Sequence, residues 1–266
     1  MAAKTRIIVH GALGRMGREV MSSMSKEPDM QVMGGVDMAA SNKTLTLEDG
    51  RSFPIFTSLA DMLSKHPADV VVDFSVAEAG IAAARTALRG GVRVVIGTTG
   101  FSQAELEEVQ QLCKARGVGA VIASNFALGA VVMTHLARIS SRFFDHAEII
   151  ELHHEKKLDA PSGTALSTAK AMVEGRGKPF EYAKAQKETL AKSRGGETDG
   201  IAVHSVRMPG LLAHQEVIFG CAGQTLTIRH DTINRECYMP GIAVAIREVM
   251  KRTDLTIGLD KLLGLS

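Results

Sequence analysis

The chain has 266 residues, 45% hydrophobic and 23% charged, with a formal net charge of +2. This is ordinary globular composition, long enough for two domains with substantial cores, and its lysines and arginines are spread rather than clustered, which argues against a nucleic-acid-binding face. The three cysteines, Cys113, Cys221 and Cys237, stand too far apart for a disulfide framework or a zinc site and read as reduced thiols of a cytoplasmic protein.

The N-terminus runs almost directly into Arg6–His10 (RIIVH), a short β-branched strand, which leaves no room for a secretory leader. GALGRMG follows, then a helical pattern to about Ser25. Gln31–Asp37 reads as a second strand, PIFTS as a weak third, and SLADMLSKH as a short helix. Ala68–Ser75 is the clearest buried strand. Ala77–Gly90 is an alanine-rich helix stopped by Gly90-Gly91. RVVIGTTG is a strand ending in a turn. Ser102 caps a helix to about Arg116, with Glu105 completing a capping box, and GAVIASN is a further strand. Strands alternating with helices imply parallel βαβ units. Near-continuous apolar strands imply a sheet covered on both faces, that is, a doubly wound Rossmann-type α/β domain over residues 1–126.

GALGRMG stands at the first strand-to-helix turn. Gly11 permits the sharp turn, Gly14 a close approach to phosphate, and Gly17 tight packing of helix on sheet, while the helix N-terminus offers free amides to a pyrophosphate. The spacing is G-x-x-G-x-x-G, with Leu13 where a glycine stands in the strict fingerprint. Asp37 closes the second strand, where a carboxylate takes adenosine ribose hydroxyls. It also repels a 2′-phosphate, which favours NADH over NADPH, although Arg15 or Lys43 could still reach a phosphate. GTTG (Gly97–Gly100) and SNF (Ser124–Phe126) lie at two further strand ends and would border the nicotinamide. Each of these turns taken alone also fits ordinary turn chemistry.

The second half has a different rhythm. Ala127–Phe144 reads as one long helix, and its apolar start, around Phe126–Ala137, is broken by His135 and too short to span a membrane. Ala147–His154 is a strand, and Ser162 caps a helix over Gly163–Glu174. Residues 175–200, rich in Lys, Glu and Gly, read as a mobile and partly helical surface excursion. IAVHSVRM, HQEVIFGC and QTLTIRHD are consecutive strands, so residues 127–234 form a second α+β domain with an antiparallel or mixed sheet. Met239–Arg252 is a helix, and residues 235–266 complete the first domain. The expected hinges lie near Phe126–Leu128 and Asn234–Glu236.

The stretch ELHHEKKLDAPSGTAL concentrates ionisable and turn-forming groups. Neighbouring strand residues face opposite ways, so His153 and His154 make no obvious metal site and taken alone read as one packed and one solvated ring. Ser162-Gly163-Thr164 adds free amides, a hydroxyl and the helix dipole, which suit a carboxylate. Lys157 supplies a movable cation and a possible proton donor, and Asp159 holds the loop or caps it. Together these groups suggest an enzyme acting on an anionic substrate.

HHEKKLDAPSGTA resembles the signature of the 4-hydroxy-tetrahydrodipicolinate reductase (dihydrodipicolinate reductase) family of diaminopimelate and lysine biosynthesis. GRMG at Gly14–Gly17, GTTGF at Gly97–Phe101 and SNF occur in the matching order, so the resemblance covers essentially the whole chain. It implies reduction of a cyclic imine-type dicarboxylate by NADH or NADPH. It assigns His153 as an acid/base group, Lys157 rather than Lys156 as proton donor, His154 as a substrate contact, and Gly163 and Thr164 as the carboxylate site. Nucleotide contacts fall on Gly11, Ala12, Leu13, Gly14, Arg15, Met16, Asp37, Gly97, Thr98, Thr99, Ser124, Asn125 and Phe126. It further implies a homotetramer built through the substrate-domain sheet, with no metal, membrane or nucleic-acid partner, and substrate and nicotinamide meeting between the domains. Departures are Leu13, Met38 where some members carry arginine, and Ser124 where alanine is common; they bear on cofactor preference. Two alternatives remain: a non-catalytic dinucleotide sensor, which would not need the His-Lys cradle, and a related reductase of another imino or keto acid.

Overall fold

Strands buried on both faces must be apolar along their length, and the valine- and isoleucine-rich runs of the first half pair accordingly. A computed structural model describes residues 3–265. In chain order its first half contains β1 (Thr5–His10), α1 (Arg15–Met24), β2 (Met30–Val36), β3 (Thr44–Thr46), β4 (Ser52–Phe56), α2 (Leu59–Lys65), β5 (Val70–Asp73), α3 (Ala77–Arg89), β6 (Arg93–Ile96), α4 (Gln103–Arg116) and β7 (Ala120–Ile122). The second half adds α5 (Leu128–Ser140), β8 (His146–His153), α6 (Gly163–Arg176), β9 (Gly196–Thr198), β10 (Ile201–Arg207), β11 (Ala213–Cys221), β12 (Gln224–Thr232), α7 (Met239–Val249), β13 (Leu255–Ile257) and α8 (Leu259–Leu262).

The chain divides into two units, one running to Ala127 and resuming over Arg235–Gly264, the other spanning Leu128–Asn234. The first unit holds an eight-stranded sheet in the order β13-β7-β6-β5-β1-β2-β4-β3, parallel except for β3 against β4. Ile8, Val71, Val94 and Ile96 from its strands pack with Met62, Leu88 and Val109 from its helices. Ser102 caps α4 through the Glu105 amide, and the reciprocal Glu105 bond completes the capping box. Two short strands of this unit, and β9 of the other, were not anticipated. β13 extends the sheet beside β7 from Leu255–Ala120 to Ile257–Ile122, and β3 pairs antiparallel with β4. Each spans only three residues, too few for a period-two pattern to show.

The second unit has a five-stranded mixed sheet, β12-β11-β8-β10-β9. β8 runs parallel to β10 and antiparallel to β11. Its alternate residues Ala147, Ile149 and Glu151 are buried, and the first two pack with Ala165, Ala169 and Met172 of α6. The long helix expected to reach Phe144 ends at Ser140 and gives way to a 3-10 turn over Ser141–Phe143. The Ser141 hydroxyl donates to Arg138 O at 2.6 Å, and Phe144 turns extended to set its ring 5.4 Å from that of Phe219. Residues 177–195 form turns rather than the partial helix expected of them. Phe180 is buried against Phe219, and its amide bonds Asp199 O at 2.9 Å, which ties the start of the excursion to its end. Among the described residues no helix is long and apolar enough to cross a membrane.

Candidate functional site

In the first unit, the cofactor residues expected from sequence all follow the carboxyl ends of parallel strands. Gly11–Met16 follows β1, Asp37 follows β2, Gly97–Thr99 follows β6 and Ser124–Phe126 follows β7. They therefore line one edge of the sheet, where doubly wound folds bind ligands. Gly11 takes φ +78°, and a Cβ there would stand 2.7 Å from Phe74 O. A Cβ on Gly17 would stand 2.1 Å from Gly11 O, so only glycine lets α1 start this close to the turn. Gly14 caps α1 without a side-chain bond, and no acidic residue occupies the first turn. The leading amides of α1, including those of Arg15 and Met16, are thus open to an anion. Ala12 is fully buried beneath the turn. Asp37 accepts from the Leu13 amide and the Ala39 amide, each at 3.0 Å, which braces the turn against β2. Thr98 is buried, Thr99 and Ser124 are exposed, Asn125 Oδ1 accepts from Ala127 N at 2.9 Å, and the Phe126 ring lies 5.7 Å from Phe74. The close packing that Gly11 and Gly17 allow holds an uncapped helix start against the turn, and amides so placed fit the pyrophosphate of a dinucleotide.

The second unit builds a different site. Ser162 caps α6 by accepting the Ala165 amide at 3.1 Å. The Gly163 and Thr164 amides stand at the open end of the helix, where they have no intrahelical partner. A Cβ on Gly163 would meet nothing within 4 Å, so that end faces free space. The preceding loop contains a cis Ala160–Pro161 bond. Its Lys157 ammonium bonds Asp159 Oδ1 at 2.7 Å, which holds the Asp159 carboxyl below its ordinary value. His154 is half-buried, and its carbonyl accepts from the Lys157 amide at 3.1 Å.

Beneath this loop lies Glu151, whose side chain has no exposed surface. It accepts from His153 Nδ1 at 2.5 Å, from Arg207 Nη1 at 2.8 Å and Nη2 at 2.7 Å, and from Ser162 N at 3.2 Å. Arg207 Nη2 also donates to Asp159 O at 2.8 Å. Burial pushes the Glu151 carboxyl up, but hydrogen bonds from Arg207, Ser205 and His153 outweigh it and leave the group below its usual value. Burial also pulls the His153 imidazole down, helped by Lys157 and Arg207 and opposed by Glu151. The neutral ring is therefore favoured. Because Glu151 only accepts, the ring carries its proton on Nδ1 and presents an unprotonated Nε2.

Sequence reasoning passed over Glu151 and Arg207. A signal for Glu151 existed: it continues the inward alternation of Ala147 and Ile149, and a buried carboxylate needs partners. Nothing local marks Arg207, which is 56 residues away and arrives through β10. Among the described residues no group of three or more His, Cys, Asp or Glu side chains could hold a metal ion.

Comparison with known proteins points the same way. A family model described as dihydrodipicolinate reductase, N-terminus, matches residues 5–126, and one described as dihydrodipicolinate reductase, C-terminus, matches residues 129–263. The chain is 54% identical over 261 residues to 4-hydroxy-tetrahydrodipicolinate reductase of Dehalococcoides mccartyi, covering 98% of each. It is 47% identical over 266 residues to that of Moorella thermoacetica, covering 99% of each. Dipicolinate-bound dihydrodipicolinate reductase from Paenisporosarcina sp. TG-14 superposes with a TM-score of 0.88 at 36% identity, over 97% of this chain and 99% of that one. An amine dehydrogenase from Mycobacterium smegmatis, 14% identical with a TM-score of 0.62 over 93% of each chain, shares the fold alone.

Both pKa shifts have the same sign for stability. Glu151 and His153 are lowered in the folded state, so the unfolded chain binds more protons and stability falls as pH drops, first below about 6.5 for His153 and then below about 4.5 for Glu151. Glu151→Gln leaves the Arg207 charge poorly paired and is expected to cost about 3–5 kcal/mol at pH 7 while flattening the acid limb. Thermal melts of both proteins between pH 7 and pH 4 measure this; parallel profiles would remove Glu151 from the titrating set.

Proposed function

The chain belongs to the dihydrodipicolinate reductase family, and on that premise we propose which of its residues carry the reaction and with what preferences. The enzyme is an NAD(P)H-dependent oxidoreductase that reduces 4-hydroxy-tetrahydrodipicolinate to tetrahydrodipicolinate in diaminopimelate and lysine biosynthesis. The substrate gains a hydride and a proton and loses water. Bound NAD(P)H supplies the hydride. The protein must hold the diacid, deliver the proton and keep competing groups from reacting.

The observation that carries the residue assignment is the open start of α6 beside a lysine. Gly163 and Thr164 amides, with the helix dipole, grip one substrate carboxylate, and His154 makes a further contact. Lys157 is the proton donor. Its present partner Asp159 is largely exposed, so this ion pair is held weakly and exchanges readily for a substrate group. His153 has a narrower part than a free acid/base. With Glu151 on Nδ1 and a depressed pKa, it offers Nε2 as an acceptor at neutral pH, and so cannot compete with Lys157 as the acid. In the first unit, Gly11–Met16 takes the pyrophosphate, and Gly97–Thr99 and Ser124–Phe126 take the nicotinamide side. Asp37 takes the adenosine ribose, and its negative charge favours NADH over NADPH.

Self-association into a homotetramer through the second unit's sheet also fits. The face opposite α5 and α6 carries Ile150, Leu152, Val206 and Ile218, all only partly buried in the single chain. A cytoplasmic location agrees with the three free cysteines.

Lys157→Ala is expected to lower kcat by about 10²–10⁴-fold while leaving NADH affinity within about twofold. His154→Ala should act mainly on KM. NADH oxidation with freshly generated dihydrodipicolinate synthase product gives both numbers, and near-parent turnover of Lys157→Ala would displace it as donor. Comparing kcat/KM for the two cofactors tests the part given to Asp37, since a strong NADPH preference contradicts it. Light scattering of the parent and Ile218→Lys tests assembly: a tetramer that the lysine dissociates is expected, and a parent monomer would refute it.

A further inference from the structure

The carboxyl end of β5 lies between the strands that carry the two glycine turns, and it holds a buried acid with no part in the assignments above. Asp73 is 1% exposed, His10 8% and Thr98 7%. Asp73 Oδ1 accepts from His10 Nδ1 and from Ser75 Oγ, each at 2.6 Å, and Oδ2 accepts from Thr98 Oγ1 at 2.5 Å. A carboxylate only accepts, so the imidazole carries a proton on Nδ1 and both hydroxyls donate. Three donors from three chain segments thus converge on one carboxylate.

Their places in the fold give this network its meaning. His10 ends β1 and immediately precedes Gly11, Asp73 ends β5, and Thr98 follows Gly97 beyond β6. The backbone repeats the same links, with Phe74 N bonding His10 O at 3.1 Å and Gly97 N bonding Asp73 O at 2.9 Å. In the order β6-β5-β1-β2, the chain leaves β1 to one side for β2 and later crosses to the other side for β5. The His10–Asp73 bond therefore spans the topological switch point, where a doubly wound sheet opens the crevice for its ligand. Packing leaves little freedom around it. A Cβ on Gly80 of α3 would lie 2.8 Å from Asp73 Oδ2, and one on Gly97 would lie 2.1 Å from the Phe74 ring.

We infer that His10, Asp73 and Thr98 are positioning residues for the dinucleotide: their shared carboxylate ties the Gly11 turn to the Gly97–Gly100 turn and fixes the spacing of the amides that receive the cofactor. The inference rests on the dinucleotide reading of those turns. Amides already in place lose little freedom on binding, so affinity depends on this spacing. Removing a donor leaves a buried acceptor that draws in water, and the two turns separate.

Two substitutions of similar size separate the hydrogen bond from simple packing. His10→Asn places an amide N–H where Nδ1–H stands, and His10→Leu fills the space without a donor. Calorimetric titration of each folded variant with NADH, with NADPH and with pyridine-2,6-dicarboxylate gives three dissociation constants, and kcat is taken at saturating cofactor. His10→Leu is expected to weaken both dinucleotides by about tenfold or more and to leave diacid affinity and kcat within about twofold. His10→Asn should stay within about threefold of the parent for both dinucleotides. The inference is overturned if His10→Leu binds dinucleotide as the parent does, if His10→Asn loses as much as His10→Leu, or if diacid affinity falls in step. Should His10→Leu fail to fold, Ser75→Ala, a smaller deletion on the same carboxylate, is expected to weaken dinucleotide by about threefold, and unchanged affinity overturns the idea. A parent that binds neither dinucleotide would instead sink the cofactor reading itself, and this inference with it.

Discussion

The second unit is organised around one buried negative charge. Glu151 has no exposed side-chain surface, and a carboxylate so placed is tolerated only when its oxygens are filled by donors. Those donors come from three elements: His153 from the end of β8, Arg207 from the end of β10, and the Ser162 amide from the start of α6. Each is fixed relative to the same point. The acceptor nitrogen of His153 and the open amides of Gly163 and Thr164 are thereby referred to a common origin, and Arg207 extends the hold to the Asp159 carbonyl in the loop that carries Lys157. Groups that are to act on one ligand need such a shared reference.

On the proposed assignment, the two regions answer different demands with different means. A pyrophosphate spreads its charge and is held well by rigid main-chain amides, so the first unit removes side chains: Gly11 and Gly17 bring a turn and a helix start closer than any Cβ permits. A diacid that must also receive a proton needs a fixed clamp and a movable cation. The second unit leaves the first amides of α6 open and pairs Lys157 with Asp159, a carboxylate that is itself largely exposed.

Much of this was legible in the residues themselves. The β-branched runs at Arg6–His10 and Ala68–Ser75 identify β1 and β5, and Ser102 with Glu105 spells out the cap of α4. The glycine spacing and the HHEKKLDAPSGTA stretch point to a dinucleotide turn and an anion clamp, because each is contiguous and carries its own local chemistry. Less legible were segments whose conformation comes from distant partners. β13 is three residues that become a strand only beside β7, and residues beyond α6 take their course from Phe180 seated on Phe219.

The sequence by itself determined the class of fold and the family and marked the start of α6 as a candidate anion site, since periodicity, caps and compact motifs are properties of neighbouring residues. Only the tertiary structure decided which buried charges meet. Glu151 joins Arg207 across 56 residues and His10 joins Asp73 across 63, each pair brought together by the register of adjacent parallel strands. Strand register is a property of the assembled sheet, which is why an acid within an apolar run, read alone, does not reveal its partner.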